Sequence, residues 1–434
     1  MRVEIHGSEL PAVTAAAALA WVGHRVHWVP HASMPWTSLA QAGWLVREPQ
    51  LLARLEEGRQ QGTLTVAGHD DVGPAIVDAL WLALSPEQRG DADTRVVDAI
   101  HERKRPLLLV NNSTFPVGET ERLGSLGEPI HAVALVDTLE EGRAWESFTR
   151  PGRWLLGRDD DWSEAQVREL LRAFNRRRDV FQCMPRRAAE LTKLATIGML
   201  ATRISYMNEI AGLADTLGVD VEFVRQGMGA DSRIGYEYLY PGCGFGGPNF
   251  SRDLMRLADV QEASGRHSAL LEQVLDINEQ KKETLFRKLW THFHGRLEGR
   301  TVAVWGAAFK PGSARIDHAP VLTLLEALWA QGVSVRLHDP VATPSLRAAV
   351  GDHPQLALFD GDPYLACQGA DALMLVTEWK HYWNPDWKRL SDLLDERLVL
   401  DGRNIYDPHH VAEWGLTYRG IGRRADPREQ RSRR

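Results

Sequence analysis

Apolar positions recur along this chain with two different periods, and the switch between them divides it. Residues 2–5 (Arg-Val-Glu-Ile) read as a strand, Ala12 to Val22 as an alanine-rich helix stopped at Gly23-His24, and Arg25–Val29 as a second strand. That is a β-α-β opening. The unbroken apolar runs Ala79–Leu84 and Leu107–Val110 suit parallel strands covered on both faces. From Arg186 to Leu217 the spacing becomes helical, with Leu191, Leu194, Met199, Ile204, Met207, Ile210, Ala214 and Leu217 as the apolar positions and Gly218 as the stop. Residues 268–292 are helical again, and 293–300 read as a linker. A second β-α-β series then starts at Thr301: strands at 301–306, 334–340, 372–377 and 398–404, with a helix at Val321–Gln331.

The pattern predicts an α/β doubly wound domain over 1–182, an all-helical domain over 183–292 built on one long connecting helix, a second α/β domain over 293–418 and a basic disordered tail over 419–434. A length of 434 residues suits two to three domains. The net charge of -7 argues against a nucleic-acid binder. Arg419, Arg423, Arg424, Arg428, Arg431, Arg433 and Arg434 concentrate positive charge at the end, where a solvated tail is the simplest reading. Cys183, Cys243 and Cys367 have neither zinc-site nor disulfide spacing, so no metal and a reducing, cytoplasmic setting are expected. No run is apolar enough for a membrane span, and no signal peptide is expected. His409 and His410 read as loop residues.

Eleven segments in one order carry a further message: 48–64 (EPQLLARLEEGRQQGTL), 113–118 (STFPVG), 139–142 (LEEG), 189–193 (AELTK), 203–210 (RISYMNEI), 231–235 (DSRIG), 241–254 (PGCGFGGPNFSRDL), 306–311 (GAAFKP), 337–342 (LHDPVA), 370–379 (ADALMLVTEW) and 399–408 (VLDGRNIYDP). Together they resemble the UDP-glucose/GDP-mannose dehydrogenase family. The resemblance implies two Rossmann-like doubly wound domains joined by a central helical domain. It also implies NAD in the first domain, a UDP-sugar or related nucleotide sugar held by the later ones, and oxidation of a sugar C6 alcohol to a carboxylate in two hydride steps.

Carried over residue by residue, the resemblance places Thr114, Glu141, Lys193, Asn249 and Asp253 at catalytic positions, with Asp137 where the family has a longer glutamate. Asn249 stands where the family has its cysteine, and an amide cannot form the thiohemiacetal that precedes a thioester. Ile197 stands where an asparagine would share the C6 oxygen with Lys193. Cys243 lies six residues before Asn249 and reads as a small loop residue rather than a replacement nucleophile. The cofactor loop keeps Gly7 of a Gly-x-Gly-x-x-Gly pattern, but Glu9 and Ala12 replace the other two glycines. Pro30 takes the place of the ribose-binding acid, and Asp317 the place of an arginine. Weak or absent NAD binding is expected. Arg233, Gly244, Phe245, Gly246, Gly247, Phe309, Lys310 and Arg403 match the substrate positions. The first reading is thus a catalytically impaired nucleotide-sugar-binding or regulatory homologue in polysaccharide synthesis. The alternatives are an active NAD-dependent dehydrogenase with altered chemistry and a structural partner of an active paralogue. The family pattern implies a homodimer or a heterodimer with such a paralogue.

Overall fold

A computed structural model of the chain describes residues 1–31, 45, 48–67, 77–101, 103, 105–176, 178–425. Residues 426–434, with four of the arginines of the expected tail, lie outside the described residues. Two compact units divide at Thr196/Ile197.

The first unit is built on an eight-stranded sheet of β1 (Arg2–His6), β2 (Arg25–Val29), β3 (Leu64–Val66), β4 (Ala79–Leu82), β5 (Leu107–Asn111), β6 (Ile130–Leu135), β7 (Trp154–Gly157) and β8 (Phe181–Met184). Its order is β3-β2-β1-β4-β5-β6-β7-β8, parallel except for β6 against β7. The first six strands follow the order of doubly wound dinucleotide-binding sheets, in which the chain reverses direction beside β1 and leaves a crevice. Helix α1 (Leu10–Trp21) is buried along Ala12–Ala20, since its small side chains allow close approach to β1, β2 and α2 (Pro49–Gln60). β4 and β5 are buried at every position, as the apolar runs predicted.

The second unit carries a sheet of β9 (Thr301–Trp305), β10 (Ser334–His338), β11 (Leu356–Phe359), β12 (Ala370–Leu375), β13 (Leu394–Asp401), β14 (Thr417–Gly420) and β15 (Arg424–Ala425). The order β11-β10-β9-β12-β13-β14-β15 repeats the arrangement of the first sheet, and β14–β15 alone is antiparallel. Residues 419–425 are therefore not tail. Arg419 and Arg424 face each other across β14–β15, and Arg423 Nε donates to Asp220 Oδ1 at 2.8 Å. His409 and His410, expected in a loop, belong to a short helix (Pro408–Glu413) begun by the Asp407 cap and Pro408.

The long helix α3 (Arg186–Leu217) has the bounds its periodicity predicted and runs from one unit into the other. It is followed by α4 (Val221–Ala230), α5 (Pro248–Ala263), α6 (Ala269–Lys282) and α7 (Thr284–His292). The helical stretch expected at 268–292 is two helices, since the chain turns at Glu283. Three of the apolar positions of α3, Leu191, Met199 and Leu217, are exposed rather than buried, Met199 by 62%.

Asp339, at the end of β10, holds the loop after β9. Its Oδ2 accepts from Ala307 N (2.7 Å), Ala308 N (3.0 Å) and Trp379 Nε1 (3.0 Å), and its Oδ1 accepts from Val341 N and Ala342 N. An amide at this position would turn an N–H toward donors. Asp339→Asn is expected to lower unfolding free energy by about 2–4 kcal/mol, read by urea denaturation, because buried N–H groups lose their acceptor. An unchanged midpoint would contradict this role.

Candidate functional site

In the first unit, β5 delivers the loop 112–118 and α3 delivers Lys193. Lys193 Nζ donates to Thr114 Oγ1 at 2.5 Å and lies 3.7 Å from Asp137 Oδ2. Lys193 and Asp137 are both largely buried, so water screens this pair little. Three of the expected positions are therefore gathered in one place. Glu141 sits half-buried on the turn that follows.

Two carboxylates not anticipated from the sequence hold these loops. Glu190, one turn before Lys193, accepts from Gly118 N (2.6 Å), Thr120 N (3.0 Å) and Thr120 Oγ1 (2.6 Å), which ties the Thr114 loop to the helix bearing Lys193. Glu48 is buried and accepts from Gly142 N and Ala144 N beside Glu141. Both lie within the motif segments, at 48–64 and 189–193. Their acid–backbone partners are distant in sequence and leave no periodic signal.

Gly7 keeps a conformation only glycine adopts readily: φ is +134°, and a Cβ would fall 2.1 Å from Ala83 O. Trp28 Nε1 caps its carbonyl at 2.8 Å, and Ser8 Oγ accepts from His31 N. Gly7 thus closes the turn from β1 into α1 at the crevice where a dinucleotide sits in this topology. The position fits NAD, but the donor set is reduced. Glu9 caps α1 with its backbone, so its carboxylate stands at the end where phosphate binds, and Pro11 removes one N–H from the first turn.

In the second unit the glycine-rich loop 242–247 is pinned from several sides. Asn278 clamps Phe245 with both ends of its amide, Oδ1 to Phe245 N at 2.8 Å and Nδ2 to Phe245 O at 3.0 Å. Asn208 Oδ1 accepts from Gly242 N at 2.8 Å. Gly247 has φ +102°, its N donates to Asp317 O, and a Cβ there would meet the Phe309 ring at 2.7 Å. Arg403 Nε donates to Val376 O (2.7 Å) and Nη1 to Gly244 O (3.1 Å). The signal for Asn278 was present in the sequence. It falls on the buried line of α6 formed by Leu271, Val274, Asn278 and Lys282, a polar residue at core spacing.

Beside this loop is a cavity of about 290 Å³ bordered by Ile204, Asn208, Tyr238, Tyr240, Phe245 and Arg403, among others. Gly244, Phe245 and Arg403 of the expected substrate residues border it. Gly246 and Gly247 pack against 317–319 and Phe309, with Lys310 over the Phe309 ring. Arg233 is elsewhere, exposed on the turn after α4 and paired with Asp231 (2.6 Å). Arg315 and Asp317 pair at 3.1 Å; burial raises the Asp317 carboxyl, but the guanidinium outweighs it and leaves the group below its usual range.

The backbone of Asn249 lies in the first turn of α5, where a helix N-terminus would favour a thiolate. Ile197 follows Lys193 one turn along α3. Asp253 is buried with Arg252 and Arg256 at 3.7 and 3.8 Å. Cys243, weighed above as a replacement nucleophile, is buried. It belongs to the same buried cluster as Val302, Val304 and Leu400, its Sγ is 3.9 Å from Val376 O, and burial raises its thiol pKa. Alkylation of the native protein with iodoacetamide is expected to label Cys183 first and Cys243 only on unfolding, as peptide mass spectrometry would read. Rapid native labelling of Cys243 would contradict this.

Residues 187–280 match the UDP-glucose/GDP-mannose dehydrogenase family, central domain, and residues 303–408 the same family's UDP binding domain. The chain is 37% identical to a UDP-glucose 6-dehydrogenase of Pseudomonas aeruginosa, with 98% of each chain covered. It is 30% identical to one of Rhizobium meliloti, over 98% of this chain and 100% of that one. A solved UDP-glucose dehydrogenase of Pyrobaculum islandicum superposes with a TM-score of 0.83 at 28% identity, covering 97% of both.

Proposed function

The chain belongs to the UDP-glucose/GDP-mannose dehydrogenase family, and from that premise we propose that it is an NAD-dependent nucleotide-sugar dehydrogenase of altered chemistry, which oxidises the sugar alcohol to the aldehyde and stops there. The observation that carries the reading is the Lys193–Thr114–Asp137 cluster, the polar apparatus of the first step, kept in a chain so close to the P. aeruginosa enzyme. This reverses the order of readings drawn from the sequence alone, in which an impaired homologue came first.

Lys193 supplies a cationic donor for an oxygen that gains negative charge, and Thr114 and Asp137 hold that donor in place. Asp137 and Glu141 are the carboxylates available to take the alcohol proton, directly or through water. NAD, when bound at the α1 end, accepts the hydride. The second step needs a covalent thiohemiacetal, and neither Asn249 nor the core-packed Cys243 supplies the sulfur.

The nucleotide sugar is assigned to the cavity bordered by Phe245 and Arg403, and UDP-glucose is the substrate to test first. A second reading, a nucleotide-sugar-binding homologue without oxidation in polysaccharide synthesis, is favoured by one feature: Glu9 and Pro11 at the phosphate end of α1. Self-association through the central helices, or pairing with an active paralogue, is proposed from the exposed Met199, Tyr206, Leu213, Leu217 and Phe223. No helix among the described residues is long and apolar enough to cross a membrane.

Incubation of the purified protein with NAD and UDP-glucose, with a hydrazine trap, is expected to give one NADH per trapped aldehyde. No NADH in the wild type but turnover in Glu9→Gly would favour the second reading and locate the block at the cofactor loop. Glu9→Gly is expected to tighten NAD about tenfold, roughly 1.4 kcal/mol, by removing the carboxylate. No gain from this variant in calorimetry would contradict the role given to Glu9. For the interface, Phe223→Glu with Leu213→Glu is expected to shift the protein to monomer in sedimentation velocity. An unchanged sedimentation profile would reject this surface.

A further inference from the structure

On the reading that the crevice of the first unit takes a nicotinamide dinucleotide, we infer that it does not discriminate against NADP. The position that would read the adenosine ribose is Pro30, which neither holds a 2′-hydroxyl nor repels a 2′-phosphate.

The first turn fixes the place of Pro30. β1 and β2 run parallel with His6 opposite Val29, and Gly7 N donates to Val29 O at 3.2 Å. Pro30 therefore leaves β2 level with the turn that Gly7 closes. The next residue is tied to the same turn, since His31 N donates to Ser8 Oγ at 2.7 Å. In doubly wound sheets this strand end carries the acid that accepts from the ribose hydroxyls of NAD, and NADP binders do without it. A carboxylate there stabilises a 2′-hydroxyl by charge-assisted hydrogen bonds and opposes a 2′-phosphate by repulsion. The proline ring has no acceptor and no charge, so it does neither.

The neighbouring chain does not make good the loss. From Leu10 to Arg47 the sequence contains no aspartate or glutamate. Glu48, which follows, accepts from Gly142 N and Ala144 N. Asp91, in the first turn of the helix Arg89–Ile100, lies 3.6 Å from His31 Nε2, so a protonated imidazole balances its charge. His31 itself can carry positive charge beside Pro30, which suits a phosphate better than a bare hydroxyl. Glu9 stands at the end of α1 where the pyrophosphate sits, a group both cofactors share, and so weakens them alike. The choice between the two cofactors is left to the end of β2, where nothing opposes the larger one.

The test is calorimetry of NAD and NADP with wild type and Pro30→Asp, with thermal unfolding as the control for folding. Glu9→Gly is the background for both if the wild type binds too weakly to titrate. Without the acid, the two dissociation constants are expected to lie within about fivefold of each other. Pro30→Asp is expected to shift their ratio toward NAD by about tenfold or more, chiefly by weakening NADP. NAD bound more than about fivefold tighter than NADP without the acid overturns the inference and leaves the parent reading standing. An unchanged ratio in a folded Pro30→Asp overturns it as well, and if that variant does not fold, the ratio without the acid decides alone. Binding of neither cofactor, in wild type or in Glu9→Gly, rejects the parent reading and this inference together.

Discussion

Backbone held against backbone is the constraint on which the second unit depends. The loop 242–247 can lie beside Phe309 and the 317–319 backbone only because Gly246 and Gly247 have no Cβ to intrude. Once there, Cys243 N donates to Gly402 O and Gly242 N to Asn208, Asn278 meets Phe245 N and O, and Arg403 donates to Gly244 O. The cavity is what this arrangement leaves, and side chains whose donors are partly spent on the loop line it. Asp339 holds Ala307 N and Ala308 N, the residues that lead into Phe309, whose ring Gly247 approaches.

The first unit shows the same economy. Glu190 binds the turn after Thr114 to the helix that carries Lys193, so the spacing between these groups follows from one carboxylate and one helical turn. The departures from the family pattern on which the proposal rests stand at positions expected to face ligands. Asn249 keeps the helix-terminal backbone and gives up the thiol. Glu9 keeps the turn and gives up the open approach to α1, while Gly7, whose φ the turn itself requires, is unaltered. The proposed change of reaction rests on Asn249 and Glu9, while the residues that shape both turns remain in place.

Much of this was legible in the sequence because it is carried by local pattern. The bounds of α3, the buried runs of β4 and β5, and the repeated β-α-β units follow from periodicity. Motif order likewise singled out Thr114 with Lys193, which the fold brings into contact, and Phe245 with Arg403, which border one cavity. The rest depended on pairings distant in sequence. Glu48 meets Gly142, Glu190 meets Gly118, and the arginines at 419–424 close a strand pair instead of a tail, none of which a local window registers. Arg233 illustrates the converse: its motif is intact, yet its side chain is exposed, paired with Asp231 and not among the residues that border the cavity. Exposed apolar positions on α3 were misjudged because helical spacing reports a face, not what covers it.

The most direct measurement of the proposed chemistry is to place a sulfur at residue 249 and count electrons. With NAD and UDP-glucose, Asn249→Cys is expected to yield two NADH per sugar and a uronate, where the unaltered chain yields one and an aldehyde. Two NADH per sugar from the unaltered chain would contradict the account, since the second oxidation would then proceed without a sulfur at residue 249.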